Sequence, residues 1–336
     1  MNNMKKLSVF LAAFVIGITA FAQTYSGEVQ VDELASYRTG KFSKAPRKVY
    51  IQSFRVLFQV MASATAKSSE GVRKGATKTS MAVAVTGIDL PDFQLVTDKL
   101  YNDLITSLKS KGFELVTADE AGKTEYYQDW VLKTGGTASY AQMAGHVMIT
   151  PSGYNYFVKG ESKGGKEKGT FTDKSSILSK QLNDAIILDV SMVLPFVEMD
   201  AASSGMLGFS AVKATVDFGL DPGVAGTAGA LRQNMVKFVY GNAGMGQAES
   251  YLPIVLKKKV TAEGVFYDKK FKEFTSAALN KVYDAGYYAV VTTENKNETV
   301  THEAACDPEK YKAASLKFGS DLINKSLAIF YKNAEN

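Results

Sequence analysis

Two histidines, one cysteine and a few carboxylates are the residues on which catalysis or metal binding would have to be built. His146 and His302 are too few for the common zinc sites unless carboxylates supply most of the ligands. His302 stands four residues before Cys306, and a pair of ligands does not make a site. His146, within Ala144-Gly145-His146-Val147-Met148, reads as a core or strand-edge residue. A triad assembled from distant residues would have only these two histidines to use, and there is no Gly-x-Ser-x-Gly elbow. Gly160-Glu161-Ser162-Lys163-Gly164-Gly165-Lys166 fits the first part of a phosphate-binding loop. Glu167 then stands where Ser or Thr should hold magnesium, and the polar run that follows is not the apolar helix whose N-terminus the phosphate needs. The stretch reads as a solvated basic loop. Gly223, Gly226 and Gly229 read as a flexible turn.

Carboxylate pairs are the remaining enzymatic route. Asp189, Glu198, Asp200 and Asp217 lie on or beside predicted strands. A glycosidase would need two of them facing one cleft at about 5–9 Å, and solvated strand positions are the simpler reading. Aromatic side chains offer binding in place of catalysis. The chain has 17 Tyr and 19 Phe. Tyr126, Tyr127 and Trp130 form one local group and Tyr154 and Tyr156 another. Exposed, they would contact a glycan or a protein; buried, they would be ordinary core. No cofactor and no metal is expected, and no catalytic residue is assigned.

The elements that must position these residues begin with a secretory signal. Lys5 and Lys6 precede an apolar run, Leu7 to Phe21, and Ala20-Phe21-Ala22 supplies small residues for cleavage before Gln23. The run is shorter than the ~20 residues a spanning helix needs, and the pattern is that of a cleaved signal peptide over residues 1–22. The expected location is therefore the periplasm, with the outer membrane or the exterior as alternatives. An exported chain with one cysteine has no internal disulfide, and Cys306 reads as a buried, inert thiol. The formal net charge is +5. Two of those lysines leave with the signal, so charge offers no case for a nucleic-acid partner.

Residues 23–47 are expected to be an extended lead-in. Residues 48–184 read as an α/β half. Val49 to Val60 is a strand with Tyr50, Phe54, Val56, Phe58 and Val60 on one face. Residues 61–89 and 159–174 are expected to be flexible loops, the first with a weak hairpin as its alternative around Met81 to Val85. A helix capped by Asp92 carries a stripe of Phe93, Val96, Leu100, Leu104 and Leu108, and stops at Gly112 before a strand, Phe113 to Val116. Asp119 to Leu132 is a further helix candidate, Tyr154 to Val158 a strand, and Ser176 to Asn183 a short helix. Residues 185–336 are read as continuous with the first half. They form an antiparallel β-meander (188–199, 207–220, 231–240 and 251–260). A helix carrying Phe271, Phe274, Ala278, Val282 and Ala285 follows, then a strand, Tyr287 to Val291. A closing helix starts at Asp307-Pro308-Glu309 with Phe318, Leu322 and Phe330 on its buried side. The fold class expected is α+β: a mixed, largely antiparallel sheet with helices packed on it.

This order, a strand over Val49 to Val60, a helix ending Leu104-Ile105-Thr106-Ser107-Leu108-Lys109-Ser110-Lys111-Gly112, then Phe113-Glu114-Leu115-Val116, resembles the periplasmic α/β module of the TolB amino-terminal domain and of the curli export lipoprotein family. The resemblance covers about residues 48–120 and the order of elements after 185. No cysteine follows the signal to carry a lipid, which departs from the export lipoproteins. The resemblance implies a binding or assembly role in the cell envelope and transfers no functional residue. Three functions are carried forward: a non-enzymatic envelope protein that binds a protein or glycan, an outer-membrane-associated pore or secretion subunit contributing hairpins, and a hydrolase using carboxylates.

Overall fold

The computed structural model describes residues 24–68, 77–170, 172–204, 209–222, 234–276, 289–293 and 296–335. The signal segment, the glycines at 223, 226 and 229, and most of the helix expected after Phe274 lie outside these. The lead-in is not simply extended. It forms β1 (Val31–Glu33) and a 3-10 turn, Thr39–Lys44, that buries Phe42.

β2 (Lys48–Gln59) is the spine of the main sheet. Its neighbours are β5 (Glu114–Leu115), β7 (His146–Ile149) and β11 (Ile186–Leu194). Beyond β11 come β15 (Met235–Tyr240), β16 (Ser250–Leu256) and β1. β11 runs parallel to β2 and antiparallel to β15. The expected single meander is thus corrected: in the main sheet β11, β15 and β16 continue antiparallel, while the residues at 197–204 and 209–216 pair antiparallel in another sheet. Pro195, which has no N–H for a ladder, ends β11. The chain then leaves for a second sheet, β12 (Val197–Ser204), β13 (Phe209–Val216) and β18 (Lys270–Ser276).

A bulge decides which residues of β2 face which way. Ile51 pairs with Leu188 and Ser53 with Asp189, so Gln52 is an extra residue in the parallel ladder. One extra residue exchanges the two faces. Val49, Ile51, Phe54, Val56 and Phe58 enter the main core, while Tyr50 enters a smaller core on the other face with Ile187 and Val239. Tyr50 therefore does not share a face with Phe54.

Within 61–89, the described residues 61–67 and 78–86 are paired strands rather than a flexible loop. β3 (Met61–Lys67) pairs with β4 (Lys78–Thr86) from Met61↔Ala84 to Lys67↔Lys78. β4 also pairs in parallel with β21 (His302–Ala305). The hairpin lacks large alternating residues, and its partner is tertiary: the Thr79 hydroxyl lies 2.7 Å from the Ser210 hydroxyl on β13.

Two long helices cover the main core. α1 (Leu90–Ser110) is capped by Asp89, not Asp92. Pro91 occupies the first turn, and Asp92 closes a capping box from the third position. The predicted stripe is buried. Gly112 has φ +78°; its N–H donates to the Lys109 carbonyl and that of Phe113 to Leu108, a Schellman ending. α4 (Pro308–Glu335) starts as read, with Asp307 accepting from the N–H groups of Glu309 and Lys310. Phe330 stacks on Phe238 with centroids 4.1 Å apart, and Phe58 stacks on Phe93 at 4.4 Å. A Cβ at Gly319 would lie 2.5 Å from Leu100 Cδ1, so the glycine permits the close approach of α4 to α1.

The second face has shorter cover. In place of a helix over 119–132 there is one turn, α2 (Ala118–Ala121), a 3-10 turn, Glu125–Tyr127, and β6 (Val131–Thr134). Gly122 interrupts the helix at the point where Phe157 packs against it. β6 pairs with β8 (Asn155–Val158). Residues 159–174 contain a small hairpin, β9 (Gly160–Glu161) with β10 (Glu167–Lys168). α3 (Ser175–Gln181) follows. The remaining pairs are β14 (Gly219–Leu220) with β17 (Val260–Thr261), and β19 (Ala289–Thr293) with β20 (Lys296–Val300). Phe271 lies on strand β18, paired with Ala214, and not on the expected helix. Its three-residue spacing to Phe274 suits a helix, but the edge of β13 supplies a partner that overrides it.

Candidate functional site

The predicted aromatic residues fall into two buried groups. Tyr127 is buried and stacks on Phe157 at 4.2 Å, edge-on to Tyr50 at 6.2 Å. Tyr126 and Trp130 stack at 5.4 Å and are half-buried. Tyr154 and Tyr156 stack at 5.6 Å within the main core. The Tyr154 hydroxyl donates to the Ile51 carbonyl beside the bulge, and that of Tyr156 to Glu167. Tyr127, Tyr154 and Tyr156 are therefore core residues and not an exposed platform.

An open hollow of about 240 Å³ lies on the second face of the main sheet. β16 presents Tyr251 opposite Val239 of β15, and Tyr37 pairs with Tyr251 through reciprocal backbone hydrogen bonds of 3.0 and 3.2 Å. Their rings lie 5.5 Å apart at 21°. The facing wall is Asp173 and Ser176 at the start of α3, with Gly246 and Gln247 from the loop after β15. That loop is tied to α3: the Ser176 hydroxyl donates to the Gly246 carbonyl, and the Gly241 N–H donates to the Ser179 hydroxyl. Met245, between the glycines, has φ +49° and is fully exposed.

Asp173 also belongs to a charge cluster with the buried Lys237 and with Asp189. Lys237 of β15 and Asp189 of β11 are register partners. The Lys237 ammonium lies 2.8 Å from Asp189 and 2.7 Å from Asp173. Burial would push the Lys237 ammonium down, but the two carboxylates outweigh it and hold the group above the ordinary lysine range. Burial likewise pushes the Asp173 carboxyl up. The Lys237 charge and two hydrogen bonds from Ser175 win, holding it below the usual carboxylate range. The Ser175 hydroxyl also lies 2.9 Å from the bulge residue Gln52. Two carboxylates against one ammonium leave the cluster with a charge of about −1 at neutral pH.

A second buried charge closes the same face further along. Glu167 accepts from Arg55 at 3.0 Å, Lys133 at 2.9 Å and the Tyr156 hydroxyl at 2.8 Å. The residue that spoils the phosphate-loop match is thus the anchor that pins β9–β10 to the sheet. The basic segment is a hairpin there, not a strand–loop–helix.

The other chemical candidates are held apart. His302 contacts Glu273 at 3.2 Å and Thr301 at 2.9 Å. Cys306 is buried, and burial pushes its thiol up to about 12, so it is not a thiolate at neutral pH. His146 is buried, with Nδ1 2.8 Å from the Ala144 carbonyl. Among the described residues no group of three or more His, Cys, Asp or Glu could hold a metal ion. Glu198 and Asp217 converge on the ammonium of Lys259 as ion pairs, and Asp217 also lines a second hollow with Glu263 and Asp268. Asp200 is exposed on β12, opposite Lys213.

Tyr37, Asp173, Lys237 and Tyr251 did not stand out as candidates. The signal for one of them, Lys237, is nonetheless in the sequence. Lys237 and Asp189 are single opposite charges inside otherwise apolar strands, Met235 to Tyr240 and Ile186 to Leu194. Such a charge is retained in a core when it has a partner. No protein-family model, no curated protein and no solved structure matches the chain.

Proposed function

We propose that this chain is a non-enzymatic, exported envelope protein that binds another envelope component, a glycan or protein group, in the hollow between Tyr37, Tyr251 and Asp173. One observation carries the reading: an open hollow is lined by two aromatic rings and by Asp173, which is ion-paired to the buried Lys237. The Lys237–Asp173 ion pair ties the segment before α3 to the sheet. Aromatic side chains with a few placed polar groups are the usual lining of a small-molecule site. Export rests on the amino-terminal signal, and the resemblance to the TolB and curli export modules points the same way. The test is photo-crosslinking in cells from a probe residue at Gln247, on the rim. A discrete adduct that disappears in Tyr37→Leu/Tyr251→Leu supports the reading. Reproducible turnover of a glycan or peptide, lost on mutating one carboxylate, would overturn it.

A second reading is a hairpin-contributing assembly at the outer membrane. It is favoured by β3–β4 and β12–β13, two hairpins with strands of 7–9 residues packed on each other, close to the ~9–11 residues of a membrane strand. A chain that stays monomeric in detergent and fails to permeabilise vesicles would remove it.

A further inference from the structure

The walls of the hollow differ in a way that selects a ligand. Two tyrosine rings form one side, stacked at 5.5 Å. Asp173 belongs to the same lining, and its side chain is 41% exposed. Its ion-pair partner Lys237 is 8% exposed and already bound to both Asp173 and Asp189. It therefore offers a ligand no free positive charge, and the carboxylates exceed it by one. Ring faces attract cations through their quadrupole, more strongly where water is excluded, and a fixed carboxylate adds direct attraction. An anionic ligand would meet the Asp173 carboxylate, while Lys237 is already ion-paired. A neutral ligand would gain only the ring contact.

Building on the binding reading above, we infer that the hollow takes a small ligand through a protonated or quaternary amine, held between the Tyr37–Tyr251 pair and the Asp173 carboxylate. Met245 stands exposed on the loop whose Gly246 and Gln247 form the rim. A volume of about 240 Å³ suits a group the size of choline or a single amino sugar and excludes a folded partner.

The experiment is calorimetric titration of the purified full chain with two matched pairs: choline against its neutral isostere 3,3-dimethylbutanol, and glucosamine against N-acetylglucosamine. The expected result is that at least one cation binds ten-fold or more tightly than its neutral partner. Asp173→Asn should weaken that cation at least five-fold, and Tyr251→Leu should abolish its binding. A preference for glucosamine over choline would assign an amino sugar, and the reverse a quaternary amine. Equal binding of cation and neutral partner would overturn the inference while leaving a binding hollow. Binding of none of the four would also overturn it. If the crosslinked adduct also survives Tyr37→Leu/Tyr251→Leu, the binding reading falls as well. The matched pairs act on the unaltered chain, so the outcome does not depend on a variant folding.

Discussion

The two faces of the main sheet are made from the same strands and solve different problems. One lies under α1 and α4, the longest helices described, and is apolar from Val49 to Phe330. The other is covered by a seven-residue helix, one helical turn, the small β9–β10 hairpin and the β6–β8 pair. There the strands carry Asp189, Lys237 and Arg55, paired to Asp173 and Glu167 on the covering segments. Long amphipathic helices supply a continuous apolar stripe and leave no gap. Short segments cannot, and the uncovered part of the sheet is where the Tyr37–Tyr251 hollow opens. The comparison teaches that the site follows from incomplete cover, with buried ion pairs holding the covering pieces in register.

The comparison can be broken most severely on the helical face. Phe330→Ala removes a fully buried ring stacked on Phe238 and should lower unfolding free energy by about 3–5 kcal/mol, read from urea denaturation. On the other face, Lys237→Met strands two carboxylates. Its loss should fall at the low end of about 3–5 kcal/mol, because Asp173 is exposed enough to rehydrate. Lys237→Met with Asp189→Leu should recover much of that loss, since removing both charges of a buried pair is often neutral. A double variant no more stable than the single one would show that the charges do not act as a pair. Gly319→Ala forces Leu100 aside and should cost about 1–3 kcal/mol. Asp89→Ala removes the cap of α1 and should cost about 1 kcal/mol. Both should act through the helical face and leave amine titrations unchanged.

The smallest effect is the pH response of the charged face. Asp173 is held below the ordinary carboxylate range, so its contribution is present above about pH 4. It is lost as pH falls through the lower folded value. Lys237 is held above its ordinary range. Its contribution is present below about pH 10 and fades only as pH rises through the higher folded value. Between these limits the cluster keeps its charge. Asp173→Asn should flatten the acid side of a stability-against-pH curve, and an unchanged acid limb would show that the carboxylate is not coupled to folding.

Local order in the chain was legible wherever one periodicity ran unbroken. The stripe Phe93 to Leu108 and the Gly112 stop fixed α1, and Asp307-Pro308 opened α4, because capping and amphipathicity depend on residues within a turn or two. The sequence by itself also determined that β2, β11, β15 and β16 are strands, and that catalytic signatures are few. Only the tertiary structure decided the rest. Gln52 bulges because β11 lies parallel beside it, which sends Tyr50 away from Phe54. Phe271 is in a strand because β13 offers it an edge. Tyr37 and Asp173, far apart in sequence, share a hollow because α3 stops short of covering β16. The physical reason is common to all three. Periodicity states which side chains of an element want burial, while the partner that buries them is set by contacts between distant segments.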